Sequence, residues 1–239
     1  MADCIAAVLD HVAIAVEDPS TAETRWRAQL GAGRASLGRN PGFASRQLRF
    51  ANAARLELLS PREGSGPDNF VRRFLDRFGS VIHHVTFKVP DLHQALDVLS
   101  GAGLEAVDVN DSSEHWQEAF LRPSQIGGLV VQIACTPFTD ADWAEFTGFR
   151  QEQPDASAAE LHGPLLRHPD MAEARRIWTA LGATITEEVP GLLRCGWPDS
   201  PLDVVIEEGT PPGPVALRMS GAGELSQTDG LGPAVVDRR

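Results

Sequence analysis

Two histidines open nearly matching phrases, Asp10-His11-Val12-Ala13-Ile14-Ala15-Val16-Glu17-Asp18 and His83-His84-Val85-Thr86-Phe87-Lys88-Val89-Pro90-Asp91. His11 aligns with His84, and each phrase closes on an acid, Asp18 or Asp91. Glu57 follows His11 by 46 residues, and Gln132 follows His84 by 48, each inside a short apolar run. Imidazole nitrogens, carboxylates and amide oxygens are donors for divalent cations. A duplicated unit with donors at matching places can close a metal site on its pseudo-twofold axis. Gly31-Ala32-Gly33 recurs as Gly101-Ala102-Gly103, which extends the echo beyond the donors.

Donors need rigid elements beneath them. Residues 8–16 alternate and are rich in β-formers, so they predict a strand with His11, Ala13 and Ala15 on one face. Asp18 and Ser20 can cap a helix running through Trp26 to Leu30, which Gly31 and Gly33 end. Arg46–Ala51 and Ala54–Leu59 read as strands joined at Asn52, completing one β-α-β-β-β unit. Phe70, Phe74 and Phe78, four apart, suggest a short amphipathic helix before the second unit. That unit takes a strand over Val81–Val89, a helix over Asp91–Ser100, and strands at Leu104–Val109, Gln117–Leu121 and Leu129–Ala134. A turn through Pro123 and Gly127-Gly128 joins the last two. A weaker third copy starts near Leu161, with a helix opening at Pro169-Asp170 and strands near Leu192–Gly196 and Leu202–Ile206. Gly163 stands where His11 stands in the first copy, and His162 is one residue out of register. Val215–Met219 begins a fourth unit that stops short.

Composition narrows the partners. The 239 residues carry a formal net charge of −12, which disfavours nucleic-acid phosphates and anionic membranes. Tyrosine is absent and Lys88 is the only lysine. Cys4, Cys135 and Cys195 are odd in number and lack CxxC spacing, which argues against a disulfide framework and a thiolate zinc site. The expectation is a cytoplasmic protein without a membrane span, possible as a homodimer, with a small-molecule substrate.

The two histidine strands, Leu56-Glu57-Leu58-Leu59-Ser60-Pro61 and the segment Ala119-Phe120-Leu121-Arg122-Pro123…Gly127-Gly128-Leu129-Val130-Val131-Gln132 resemble the vicinal oxygen chelate superfamily. The similarity covers the first 136 residues and is strongest to methylmalonyl-CoA epimerase and glyoxalase I-like proteins. It implies an α+β fold whose paired β-α-β-β-β modules form a curled mixed sheet around a divalent metal, such as Zn, Ni, Co, Mn or Fe. Carried over by position, the metal ligands fall on His11, Glu57, His84 and Gln132. The implied domain order is 1–136 glyoxalase-like, 137–157 connector, 158–219 a degenerate third module and 220–239 a flexible tail. Relative to the epimerases, the carboxylate and amide ligands have exchanged halves, and the strand from Phe43 to Phe50 lacks an acid. Glu57 as a single-sided catalytic base fits a glyoxalase-type isomerisation or another enolate step better than a racemisation.

Each candidate has a structural alternative. A salt bridge to Arg55 or Arg49 would account for Glu57, and satisfaction of buried backbone groups for Gln132. Lys88, on the His84 face, can anchor a substrate carboxylate or phosphate, or be a solvated strand end. Glu114, His115 and Trp116 can cover the site and touch substrate, or form a plain surface loop. His83 points away by alternation and is expected to be structural. Two rival functions share the fold. His11, His84 and Glu57 also compose a 2-His-1-carboxylate set for a ferrous extradiol dioxygenase, and a pocket lined by Trp and Phe would suit a metal-free drug-binding protein.

Overall fold

A computed structural model describes residues 4–39, 42–221 and 235–237. The first copy runs β1 (Val8–Ala15), α1 (Pro19–Leu30), β2 (Gly33–Arg39), β3 (Phe43–Arg49) and β4 (Arg55–Pro61). After α2 (Phe70–Phe78), the second copy follows as β5 (Ile82–Lys88), α3 (Leu92–Gly101), β6 (Ala106–Asn110), β7 (Gln117–Leu121), α4 (Pro123–Ile126) and β8 (Val130–Cys135). α5 (Asp140–Thr147) precedes the third copy, β9 (Glu160–His168), α6 (Met171–Ala180), β10 (Thr184–Val189), β11 (Leu192–Gly196) and β12 (Asp203–Glu208). β13 (Gly213–Ser220) and β14 (Val235–Asp237) come last. The class is α+β with two mixed sheets.

Each copy repeats one strand order: β2-β3-β4-β1 in the first, β6-β7-β8-β5 in the second and β10-β11-β12-β9 in the third. The opening strand of each copy pairs in parallel with its last, and the others pair antiparallel. The helix start is also repeated. Asp18 accepts from Ser20 N at 2.9 Å, Asp91 from Gln94 N at 2.9 Å and Asp170 from Glu173 N at 3.0 Å. Each satisfies an amide that the first helical turn leaves without a partner.

Within the three copies, two strands escape sequence patterning, β2 and β10. Both lie at sheet edges, where one side chain in two need not be apolar and pairing with β3 or β11 supplies the strand conformation. The turn expected after β7 holds a single helical turn, α4, capped by Gly127 at φ +78°. The tail from residue 220 lies mostly outside the described residues; within it, Val235–Asp237 runs parallel to β13 with Val235 opposite Leu217. No helix among the described residues is long and apolar enough to cross a membrane.

The chain divides into two compact units. One comprises Met1–Asp10, His84–Ala141 and Gly163–Val215. Within it, Ile5 N donates to Ala180 O at 3.0 Å and Ser200 Oγ to Leu9 O at 2.6 Å, which seats the N-terminal stretch on the third copy. Phe87, Trp178 and Trp197 cluster in its core with ring centroids 4.9–6.5 Å apart. The other unit comprises His11–His83, Asp142–His162 and Ala216–Arg239. There the stretch after α5 is laced to the first copy: Glu152 N donates to Arg34 O, Asp155 N to Gly31 O and Ala159 N to Leu30 O, at 2.8–2.9 Å. Glu23 of α1, only 3% exposed, is gripped by Arg34 and by Arg46 Nη1 at 2.6 Å. Arg27 and Arg34 in turn bind Glu152.

Candidate metal centre

The repeated strand register sets both donor pairs. In the first copy, Glu57 of β4 lies opposite Ala13 of β1, two residues beyond His11 and therefore on its face. In the second, Gln132 of β8 lies opposite Thr86 of β5, two residues beyond His84. Glu57 and Gln132 thus occupy equivalent places, as the sequence spacing implies.

His11, Glu57 and His84 each present one ligand atom, and these atoms all lie within 4.8 Å of one another. His11 Nε2 is 3.7 Å from Glu57 Oε2. All three residues are buried, at 2%, 9% and 6% exposure, on strands whose neighbouring residues Leu56, Leu58 and Val85 are fully buried on the opposite face. Metal–ligand bonds of about 2.0–2.2 Å put neighbouring ligand atoms about 3 Å apart and opposite ones about 4.2 Å apart in an octahedron. The observed spacing needs only a small contraction to reach that range. A carboxylate in an apolar strand is costly unless paired or coordinated, and two neutral imidazoles with one carboxylate suit a divalent cation. The trio fits a metal. Arg49, one of the two arginines offered as an alternative partner for Glu57, donates to Gln151 at 3.4 Å.

Gln132 belongs to a polar chain. Its Oε1 accepts from Thr86 Oγ1 at 2.6 Å, and its Nε2 donates to Glu118 Oε2 at 2.6 Å. The same Glu118 oxygen accepts from Trp116 Nε1 at 2.8 Å. Glu118 is the residue that sequence reasoning missed. It lies opposite Ala134, so it shares the face of Gln132, and its place in the first copy is taken by Ser45 opposite Leu59. The strand Gln117–Leu121 is expected from the chain, but the β7–β8 register that sets Glu118 on the face of Gln132 passes through α4 and is not.

The remaining candidates have definite partners. Lys88 Nζ forms an ion pair with Asp10 Oδ1 at 3.0 Å. His115 packs on Phe138 with ring centroids 4.8 Å apart. His83 lies against Phe74 and Phe70, with centroids at 4.6 and 5.9 Å. Burial pushes its pKa down to about 4, against the opposing pull of the Glu57 carboxylate, so it is neutral near pH 7.

The third copy keeps the frame without the donors. Leu165 lies opposite Val205, so Val205 stands where Glu57 stands, and Gly163 stands where His11 stands. A side chain at Gly163 would strike the carbonyl of Asp203, and its φ of +125° also favours glycine. The three cysteines are all free thiols, and burial pushes Cys195 up to about 12.

The glyoxalase-like domain family matches residues 9–183. An ethylmalonyl-CoA/methylmalonyl-CoA epimerase of Cereibacter sphaeroides is 30% identical over 131 residues, covering 52% of this chain and 95% of that protein. An uncharacterized protein of Bacillus subtilis, YqjC, is 28% identical over 92 residues, covering 38% of this chain; the match spans 63% of YqjC. Among solved structures, a hypothetical protein from Staphylococcus aureus shares the fold across 89% of this chain and 90% of its own, with a TM-score of 0.62 at 11% identity. The repeated units, their strand order and this span of similarity agree: the chain belongs to the glyoxalase-like domain family.

Proposed function

We propose that the protein is a divalent-metal-dependent enzyme of the glyoxalase/epimerase kind, acting on a small carbonyl compound that chelates through two oxygens. The observation that carries this reading is the convergence of His11, Glu57 and His84 donor atoms within 4.8 Å. Gln132 is the proposed fourth ligand, by its register match to Glu57. A divalent cation bound there supplies Lewis-acid stabilisation for negative charge developing on a carbonyl oxygen. Glu57 takes a proton from the carbon beside that carbonyl and returns it to the enolate or exchanges it with solvent. A hydroxy-ketone, a thiohemiacetal or a thioester carboxylate meets the chemical requirement. The epimerase relative gives the thioester carboxylate first place among them. In this reading residues 1–136 carry the site, 137–157 connect, and 158–219 form a metal-free module.

Protein purified without chelator is expected to hold one divalent ion per chain by elemental analysis. His11→Ala and His84→Ala are expected to lose it, and the loaded protein is expected to exchange the α-proton of a carboxylated acyl thioester with deuterated solvent. Absence of stoichiometric metal sinks the proposal. The same donor trio, two histidines and one carboxylate, also suits ferrous iron in dioxygen chemistry. Oxygen uptake with catechols by the ferrous-loaded protein, without thioester proton exchange, would favour that second reading.

A further inference from the structure

We infer that Glu118 is a positioning residue for Gln132: it decides which end of the carboxamide is offered as a donor. This rests on the metal-dependent reading above and adds a residue to it. The two ends of a carboxamide have nearly the same shape and opposite chemistry, since the oxygen can ligate and the protonated nitrogen cannot. Gln132 is 8% exposed and flanked by Val131 and Ile133, so the orientation of its amide is settled by its protein partners. Thr86, bonded at 2.6 Å, carries a hydroxyl that donates or accepts and would tolerate either end. Glu118 does not. A carboxylate only accepts, so its 2.6 Å bond requires the amide nitrogen and turns the oxygen the other way. Trp116 Nε1, donating to the same carboxylate oxygen at 2.8 Å, holds Glu118 in place. A charge-assisted bond to the amide nitrogen also draws electron density onto Oε1, which keeps a second lone pair beside the one facing Thr86.

The first copy acts as an internal control. Its donor is Glu57, whose two oxygens are equivalent, and the position matching Glu118 is Ser45. The copy with a symmetric donor lacks the orienting acid, and the copy with an asymmetric donor has it.

The test uses full-length protein stripped with chelator and titrated with Co²⁺, followed by calorimetry and by the visible ligand-field spectrum. Glu118→Gln, which can face Gln132 either way round, is expected to lower cobalt affinity by about 10- to 100-fold, the usual cost of losing an outer-shell partner. Its ligand-field bands should change while its melting temperature stays close to that of wild type. Adding Gln132→Glu to Glu118→Gln restores a donor that needs no orienting, so affinity should recover; a purely structural role for Glu118 would give no such rescue. Thr86→Val, which leaves Glu118 in place, should retain cobalt uptake. Wild-type uptake left unchanged by Glu118→Gln overturns this inference alone, as does a Thr86→Val loss as large as that of Glu118→Gln. Wild-type protein that takes up no cobalt overturns the metal reading and this inference together.

Discussion

The first and second copies share a backbone plan and differ in what holds it. In the first, α1 is clamped by charge: Glu23 sits buried between Arg34 and Arg46, and Arg27 extends the network to Glu152. The matching helix position in the second copy, five residues past the capping aspartate, is Leu96. Gly31-Ala32-Gly33 is covered by the stretch after α5, whereas nothing lies within 4 Å of a side chain built at Gly101 or Gly103. The residues preceding the two candidate ligand histidines diverge as well, Asp10 being paired with Lys88 while His83 is packed on phenylalanines. A duplicated frame therefore fixes where strands and caps fall. What later packs against each copy assigns the work of identical residues.

The largest effect should separate the two clamps. Glu23→Ala leaves Arg34 and Arg46, each about a quarter exposed, without their shared carboxylate, and is expected to cost about 3 kcal/mol in urea unfolding. Leu96→Ala, at the matching half-buried position, should cost only about 1 kcal/mol. Equal losses would break the contrast between a charged and an apolar clamp.

Acidification should sharpen the contrast between His83 and Asp10. The folded pKa of His83, about 4, lies below its ordinary 6.5, so the unfolded chain binds the proton first. Its contribution is whole above about pH 6.5 and is lost as pH falls towards 4, by roughly 3 kcal/mol. A pH series of unfolding midpoints should show this loss in the wild type and a shallower one in His83→Phe. Identical slopes would remove the buried imidazole from the explanation.

The smallest pair concerns the repeated glycines. At Gly33 a Cβ would overlap the carbonyl of Glu152 and sit 2.7 Å from the Gln153 carbonyl carbon. Gly33→Ala should lose about 1–3 kcal/mol, the ordinary cost of overpacking. Gly101→Ala meets open space at the end of α3 and should be neutral or gain a few tenths of a kcal/mol. Thermal melts of the two variants, run side by side, decide whether the shared tripeptide has one role or two.

Much of this was legible in the chain itself. The apolar strands β1, β5, β8 and β12, the aspartate caps and the left-handed glycine after Leu30 all follow from local physics, and the structure has each of them. β2 and β10 were not legible, because an edge strand of mixed polar residues is held by its neighbour and carries no pattern of its own. Glu118 was hidden for a related reason: its partner Gln132 is chosen by antiparallel register across an irregular turn.

By itself, the sequence determined the donor types, their repeat-equivalent strands and the face each occupies, since a period of two leaves a side chain only two directions. Only the tertiary structure decided that His11, Glu57 and His84 converge, that Lys88 meets Asp10 and that Glu118 holds the Gln132 amide. Alternation sets a direction along one strand, but neighbours are chosen by pairing and packing between segments far apart in the chain.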